Sequence, residues 1–220
     1  MRFSQSATEL TTAATDAVLG VVYVAVSVHL LATRTSDPWK KALWIWVLAL
    51  AALGALLGAA VHGLTLSEAT RAAIWQALYL SLGVTVALFF IGALYDWRGE
   101  SMARASLPWA VATGCAFFGL TQFYGGPFFI FLLYEAAAML GALAMYARLA
   151  LGGTLAGAGI VAAGIGLNLA AAAVQTSSLS VRLVVPFDHN GLFHIVQLIA
   201  TFALAGGLRR GLAVRTTQTG

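Results

Sequence analysis

Residues 42–64 read ALWIWVLALAALGALLGAAVHGL, a run of 23 residues with no Asp, Glu, Lys or Arg. A helix rising 1.5 Å per residue needs about 20 such residues to cross the roughly 30 Å hydrocarbon core of a bilayer. The run therefore predicts a membrane-spanning helix. Six more apolar runs, near 13–33, 72–95, 105–123, 127–149, 153–175 and 190–208, predict six more spans. Short polar or turn-rich pieces separate them: 34–41 around Pro38, 65–71, 96–104 and Gly125-Gly126-Pro127. Only 177–189 is long enough to form a structured loop. The expected fold is all-α: a polytopic integral membrane protein in which residues 1–220 form one seven-transmembrane-helix bundle.

Composition points the same way. The chain is 60% hydrophobic and 9% charged, where a soluble domain carries about 25% charged residues. A net charge of +4 would suggest nucleic acid as partner of a soluble protein. Here the basic residues sit in loops, where they orient a membrane protein, and no nucleic-acid partner is expected. The single cysteine, Cys115, excludes an intrachain disulfide and a multi-cysteine metal site. Residues 1–16 are polar and lack the basic-apolar-small pattern of a cleavable signal, so the first span is expected to direct insertion.

Basic residues also set the orientation. One side holds Arg2, Arg71 and Arg182. The other holds Arg34, Lys40, Lys41, Arg98, Arg104, Arg148, Arg209, Arg210 and Arg215. That bias places the N-terminus outside and the C-terminus in the cytoplasm, most simply in a bacterial inner (plasma) membrane.

With seven alternating spans, polar groups distant in sequence arrive at one depth near the outer face. Asp16 opens the first span and His62 ends the second. Gln76 and Tyr79 begin the third, and Glu135 lies roughly 12 Å into the fifth. Asn168 is in the outer half of the sixth, and His189, Asn190, His194 and Gln197 start the seventh. Ionisable groups within spans are costly in lipid and mark functional sites. Helical spacing gathers Gly54, Gly58 and His62 on one face, and likewise Asn190, His194, Gln197 and Thr201, and Asp16, Gly20, Tyr23 and Ser27. His189 is about 140° from His194 around a helix and joins the others only from a capping position, with Asp188 as cap. Thr65 and Glu68 form a capping-box pattern for the third helix. Asp96, Arg98, Glu100 and Arg104 read as a solvated loop, and Gly153, Gly157, Gly159, Gly164 and Gly166 as aids to packing in the sixth span.

Three imidazoles at one depth, His62, His189 and His194, form a candidate zinc site with water in the fourth position. Zinc-bound water loses a proton near neutral pH and attacks carbonyls, with Glu135 or Asp16 to move the proton. Gln76, Tyr79, Asn168, Asn190 and Gln197 are the expected polar lining.

The pattern resembles the CREST superfamily of alkaline ceramidases and progestin/adiponectin-type receptors. Gly58-Ala-Ala-Val-His62 is similar to that family's Ser-x-x-x-His in helix two, with glycine in place of the serine. Asn190-Gly-Leu-Phe-His194 occupies the place of its His-x-x-x-His in helix seven, with asparagine for the first histidine and His189 one residue early. Gln76 stands nearest the family's helix-three aspartate. The resemblance implies a divergent, zinc-dependent hydrolase of a lipid amide or ester. The alternative is a non-enzymatic bundle that binds a lipid or small apolar ligand in the same pocket. A small proton-coupled transporter ranks third, because neither an inverted repeat nor a pair of broken helices is visible.

Overall fold

The computed structural model describes residues 2–123 and 127–213. Its helices are α1 (Ala7–Ala32), α2 (Pro38–Gly63), α3 (Glu68–Arg98), α4 (Glu100–Phe123), α5 (Pro127–Leu151), α6 (Ala158–Gln175) and α7 (His189–Leu212). Two short ribbons complete the described chain. β1 (Arg2–Phe3) pairs antiparallel with β2 (Leu64–Thr65), and β3 (Val181–Arg182) with β4 (Pro186–Phe187). The expected glycine turn at 125–126 and Arg215 lie outside the described residues.

All helices except α4 are long and apolar enough to cross a membrane, the composition of a helical membrane protein. α4, expected as a span at 105–123, is long enough, but Arg104, Pro108 and Thr113 make it less apolar. The packing separates it too. α1, α2, α3, α5, α6 and α7 form a closed ring in that order, α7 returning to α1, while α4 lies against α3 with a smaller contact to α5. Val18, Val21, Val28, Trp46 and Phe129 face outward, as a lipid-facing surface requires.

Local chemistry sets the helix starts. Ser6 accepts from the Glu9 amide, Asp37 from Lys40, Ser67 from Thr70 and Asp188 from Gly191, each satisfying an amide that the first turn leaves free. Asp188 is the cap the sequence suggested. Thr65 is not: Ser67 caps α3, and Thr65 is held in the ribbon opposite Arg2. Pro38 at the first position of α2 loses no helical hydrogen bond. Lys40 belongs to α2 and is buried, so it is no loop residue, and eight cations against three remain in the charge asymmetry.

α6 begins at Ala158, five residues later than expected, because Gly153 and Gly157 adopt φ values of 63° and 83° that end regular helix. A Cβ at Gly157 would also stand 2.4 Å from the Gly207 carbonyl oxygen, where α6 meets α7 backbone to backbone. Gly157→Ala is expected to cost roughly 1–2 kcal/mol for the left-handed backbone and a further 1–3 kcal/mol for overpacking. Gly166, where an added methyl group would meet nothing within 4 Å, is the control: Gly166→Ala is neutral or stabilising in a helix interior. Thermal unfolding in detergent compares the two.

Candidate functional site

Asp188 fixes the register from which the site is built. Its Oδ1 accepts the Gly191 amide at 2.9 Å and the Thr12 hydroxyl of α1 at 3.0 Å. The cap thus ties the start of α7 to α1 and sets His194 beside Asp16. His194 Nε2 lies 3.1 Å from Asp16 Oδ1, with both side chains 8% exposed. Gly58 of α2 makes room for the carboxylate, since a Cβ there would be 2.7 Å from Asp16 Oδ2.

The proton on the imidazole follows from its other neighbour. Thr15 Oγ1 donates to the carbonyls of Thr11 and Thr12, at 3.1 and 2.9 Å. Its single hydrogen is thereby used, and it accepts from His194 Nδ1 at 3.0 Å. With its hydrogen on Nδ1 the ring donates to Thr15 and presents Nε2 to the Asp16 carboxyl.

His62 lies about one turn nearer the end of the ring. Its Nδ1 pairs with Glu9 Oε2 at 2.7 Å, and its ring meets Trp75 edge-on at 5.9 Å. Trp75 stacks on Tyr79, one helical turn along α3. Because these two face inward, Gln76 points away: it is exposed and does not line the cavity. His189 is the first residue of α7, half-buried, and lines the cavity together with Asn190 and Gln197.

A second polar layer lies deeper. Asn168 Nδ2 donates to Glu135 Oε1 at 3.3 Å, and both residues are buried. α6 runs antiparallel to α7, and a Cβ at Gly164 would touch the Leu204 backbone, so Asn168 is level with Ala200. That places it six residues beyond His194, roughly 9 Å deeper.

Both layers open onto one cavity of about 490 Å³ inside the ring. It reaches from His62 to Trp44 along α2 and from His189 to Leu208 along α7, which are 18 and 19 residues, or roughly 27–28 Å. The cavity is an elongated slot, nearly as long as a bilayer core is thick. Below the Glu135 layer its walls are apolar, among them Val47, Phe89, Met139, Ile165 and Leu208. Trp44 belongs to the wall there, and its indole N–H finds no acceptor among the described residues.

Among the described residues no three His, Cys, Asp or Glu side chains are grouped as a metal site. Both His194 nitrogens and the His62 Nδ1 are engaged by protein partners. His62, His189 and His194 share the slot without converging on a common point.

At the opposite end lies a polar cluster that the sequence reading missed. Asp96, read there as a solvated loop residue, is in α3 and buried. Its carboxylate forms an ion pair with Lys40 and accepts the Tyr146 hydroxyl at 2.7 Å. Lys40 also donates to the Gly211 carbonyl at 3.3 Å, and the Tyr95 hydroxyl donates to Asp37. Trp44 and Trp75 were missed in the slot wall; the Trp75–Tyr79 spacing of one turn was the available signal.

The ring and its slot define a helical membrane protein with an internal, elongated cavity that is polar toward one end. Residues 11–213 match a family of unknown function, DUF6962, and the chain belongs to that family. No curated protein and no solved structure matches the chain.

Proposed function

We propose that this is a seven-span protein, α4 included, with its N-terminus outside and C-terminus in the cytoplasm of a bacterial inner membrane, and that it binds a single-chain amphiphile in the slot. The carrying observation is the shape and polarity of the cavity: elongated along the ring, largely apolar along its deep part, with Asp16, His62 and His194 near the shallow end. A chain in the deep part replaces one apolar medium by another, and the polar head meets buried partners that bulk lipid lacks. Eight cations at the helix ends and connections of one side, against three on the other, support the orientation.

A second reading, zinc-dependent hydrolysis of a lipid amide or ester, is favoured by one distance. His194 Nε2 and Asp16 Oδ1 are 3.1 Å apart, close to the separation of two ligands on one tetrahedral zinc. His62 and His189 line the same slot, and the resemblance to the CREST superfamily supports the same chemistry. In that reading Asp16 is a ligand, and Glu135 is the carboxyl group left to hold the proton.

Mass spectrometry of the detergent-purified protein, for lipid and for metal together, separates the readings. The expected result is a single amphiphile per chain, reduced in Ala55→Phe, which fills the slot from α2. Stoichiometric zinc that disappears in both His62→Ala and His194→Ala would favour the hydrolase. A protein carrying neither amphiphile nor zinc would sink both readings.

A further inference from the structure

The Glu135–Asn168 layer has no role in holding the head of such a ligand, because it lies roughly 9 Å below His194, at a level where Tyr23, beside Thr201, is the neighbouring polar group of the slot wall. Isolated polar groups at that depth are costly unless each finds a partner. Among the described residues no cationic side chain is within ion-pair distance of Glu135. Asn168 supplies one hydrogen bond at 3.3 Å, which leaves acceptor capacity on both the carboxyl and the amide oxygen. Both side chains are part of the slot wall. Among the described residues no hydrogen bond from Tyr23 to Glu135 is formed, so these acceptor sites face the slot and are open to a donor that enters with the ligand.

We propose that the slot selects an amphiphile bearing a second, uncharged hydrogen-bond donor, a hydroxyl, about 9 Å along the chain from its head. This rests on the amphiphile-binding reading and specifies its ligand. A hydroxyl donates to the Glu135 carboxyl or the Asn168 amide oxygen and accepts from the Asn168 N–H, so one small group satisfies the layer. An ammonium group would donate but not accept. A plain chain would leave both side chains facing hydrocarbon, and a bare slot would leave them unpaired. The chain continues past this layer to Leu208 and Trp44, so the hydroxyl belongs to the middle of the ligand and not to its end.

The test uses long-chain alcohols, whose neutral heads suit the shallow layer. Stearyl alcohol competes for the full-length protein, in one sample, with stearyl diols that differ only in the position of the second hydroxyl. Occupancy is read by native mass spectrometry. The expected result is a preference of at least ~10-fold for the diol whose hydroxyls are spaced as the two layers are, falling off for shorter and longer spacings, as a hydrogen bond to a charged or strongly polar group gives. Glu135→Leu and Asn168→Leu, each verified as monodisperse, keep stearyl alcohol bound and lose the preference. Equal occupancy by alcohol and diols in the unmodified protein overturns the proposal with no variant needed, and so does a preference that survives both substitutions. Failure of every alcohol to bind would instead overturn the amphiphile reading, and this proposal with it.

Discussion

Lys40→Met is expected to lower stability by about 3–5 kcal/mol, because it leaves the buried Asp96 carboxylate without its cation. Both side chains are almost fully enclosed, at 5% and 4% exposure. Asp96 would retain the Tyr146 hydroxyl, which cannot neutralise it. The pair joins α2 to α3, the Lys40 bond to Gly211 adds the end of α7, and Tyr146 adds α5, so four of the six ring helices meet at this point. The substitution should therefore loosen the ring as a unit. The double variant Lys40→Met/Asp96→Leu should be more stable than Lys40→Met alone, since no unpaired charge remains and an apolar pair packs without the desolvation penalty. Thermal unfolding of the unmodified protein, Lys40→Met, Asp96→Leu and the double variant in one detergent checks this. A double variant as unstable as the sum of its singles would show that the two groups are not coupled.

This cluster illustrates where the chain was legible and where it was not. Membrane spans announce themselves locally, because a run such as 42–64 has no charge to place in lipid. Asp188 also announced itself as a cap, by its position just ahead of an apolar run. Asp96 carries no such local signal. It follows an apolar stretch and precedes Arg98, so it reads as solvated, and its cation lies 56 positions earlier in the chain. The N-terminal part of α1 was misread for a related reason. Residues 7–12 are too polar to look like a span, yet they extend the helix beyond it and bring Glu9 to His62.

The site shows the same division. Alternating spans bring Asp16, His62, His189 and His194 toward one end of the ring, as the sequence suggested, whereas Glu135 and Asn168, expected at the same depth, form a separate layer roughly 9 Å deeper. Their pairing is a property of helix rotation and register. Asp16 meets His194 because the Asp188 cap binds Thr12 and because Gly58 leaves a gap. Gln76 turns away because Trp75 and Tyr79 take the inward face. The ring order that places α4 outside is a long-range result with no signature in any one span.

His194→Leu is the second substitution of large expected effect, about 1–3 kcal/mol of stability for the buried carboxyl group left without its partner, together with loss of the bound amphiphile. His194 is the only described hydrogen-bonding partner of the Asp16 side chain. Removing it leaves a carboxyl group against the backbone of Gly58 and frees the Thr15 oxygen that accepted from Nδ1. Asp16→Asn is expected to be mild, under about 1 kcal/mol, because the amide N–H can donate to Nε2 while the Thr15 bond persists. Gly58→Ala should fall between the two: a methyl group 2.7 Å from Asp16 Oδ2 must displace the carboxyl or push α1 from α2. Unfolding midpoints order the three variants, and lipid analysis of each purified protein gives the second readout. His194→Leu with normal stability would show that the pair is not a structural link. His194→Leu with the amphiphile still bound would move the head of the ligand away from this layer, leaving His62 and His189 at the mouth as the groups that recognise it.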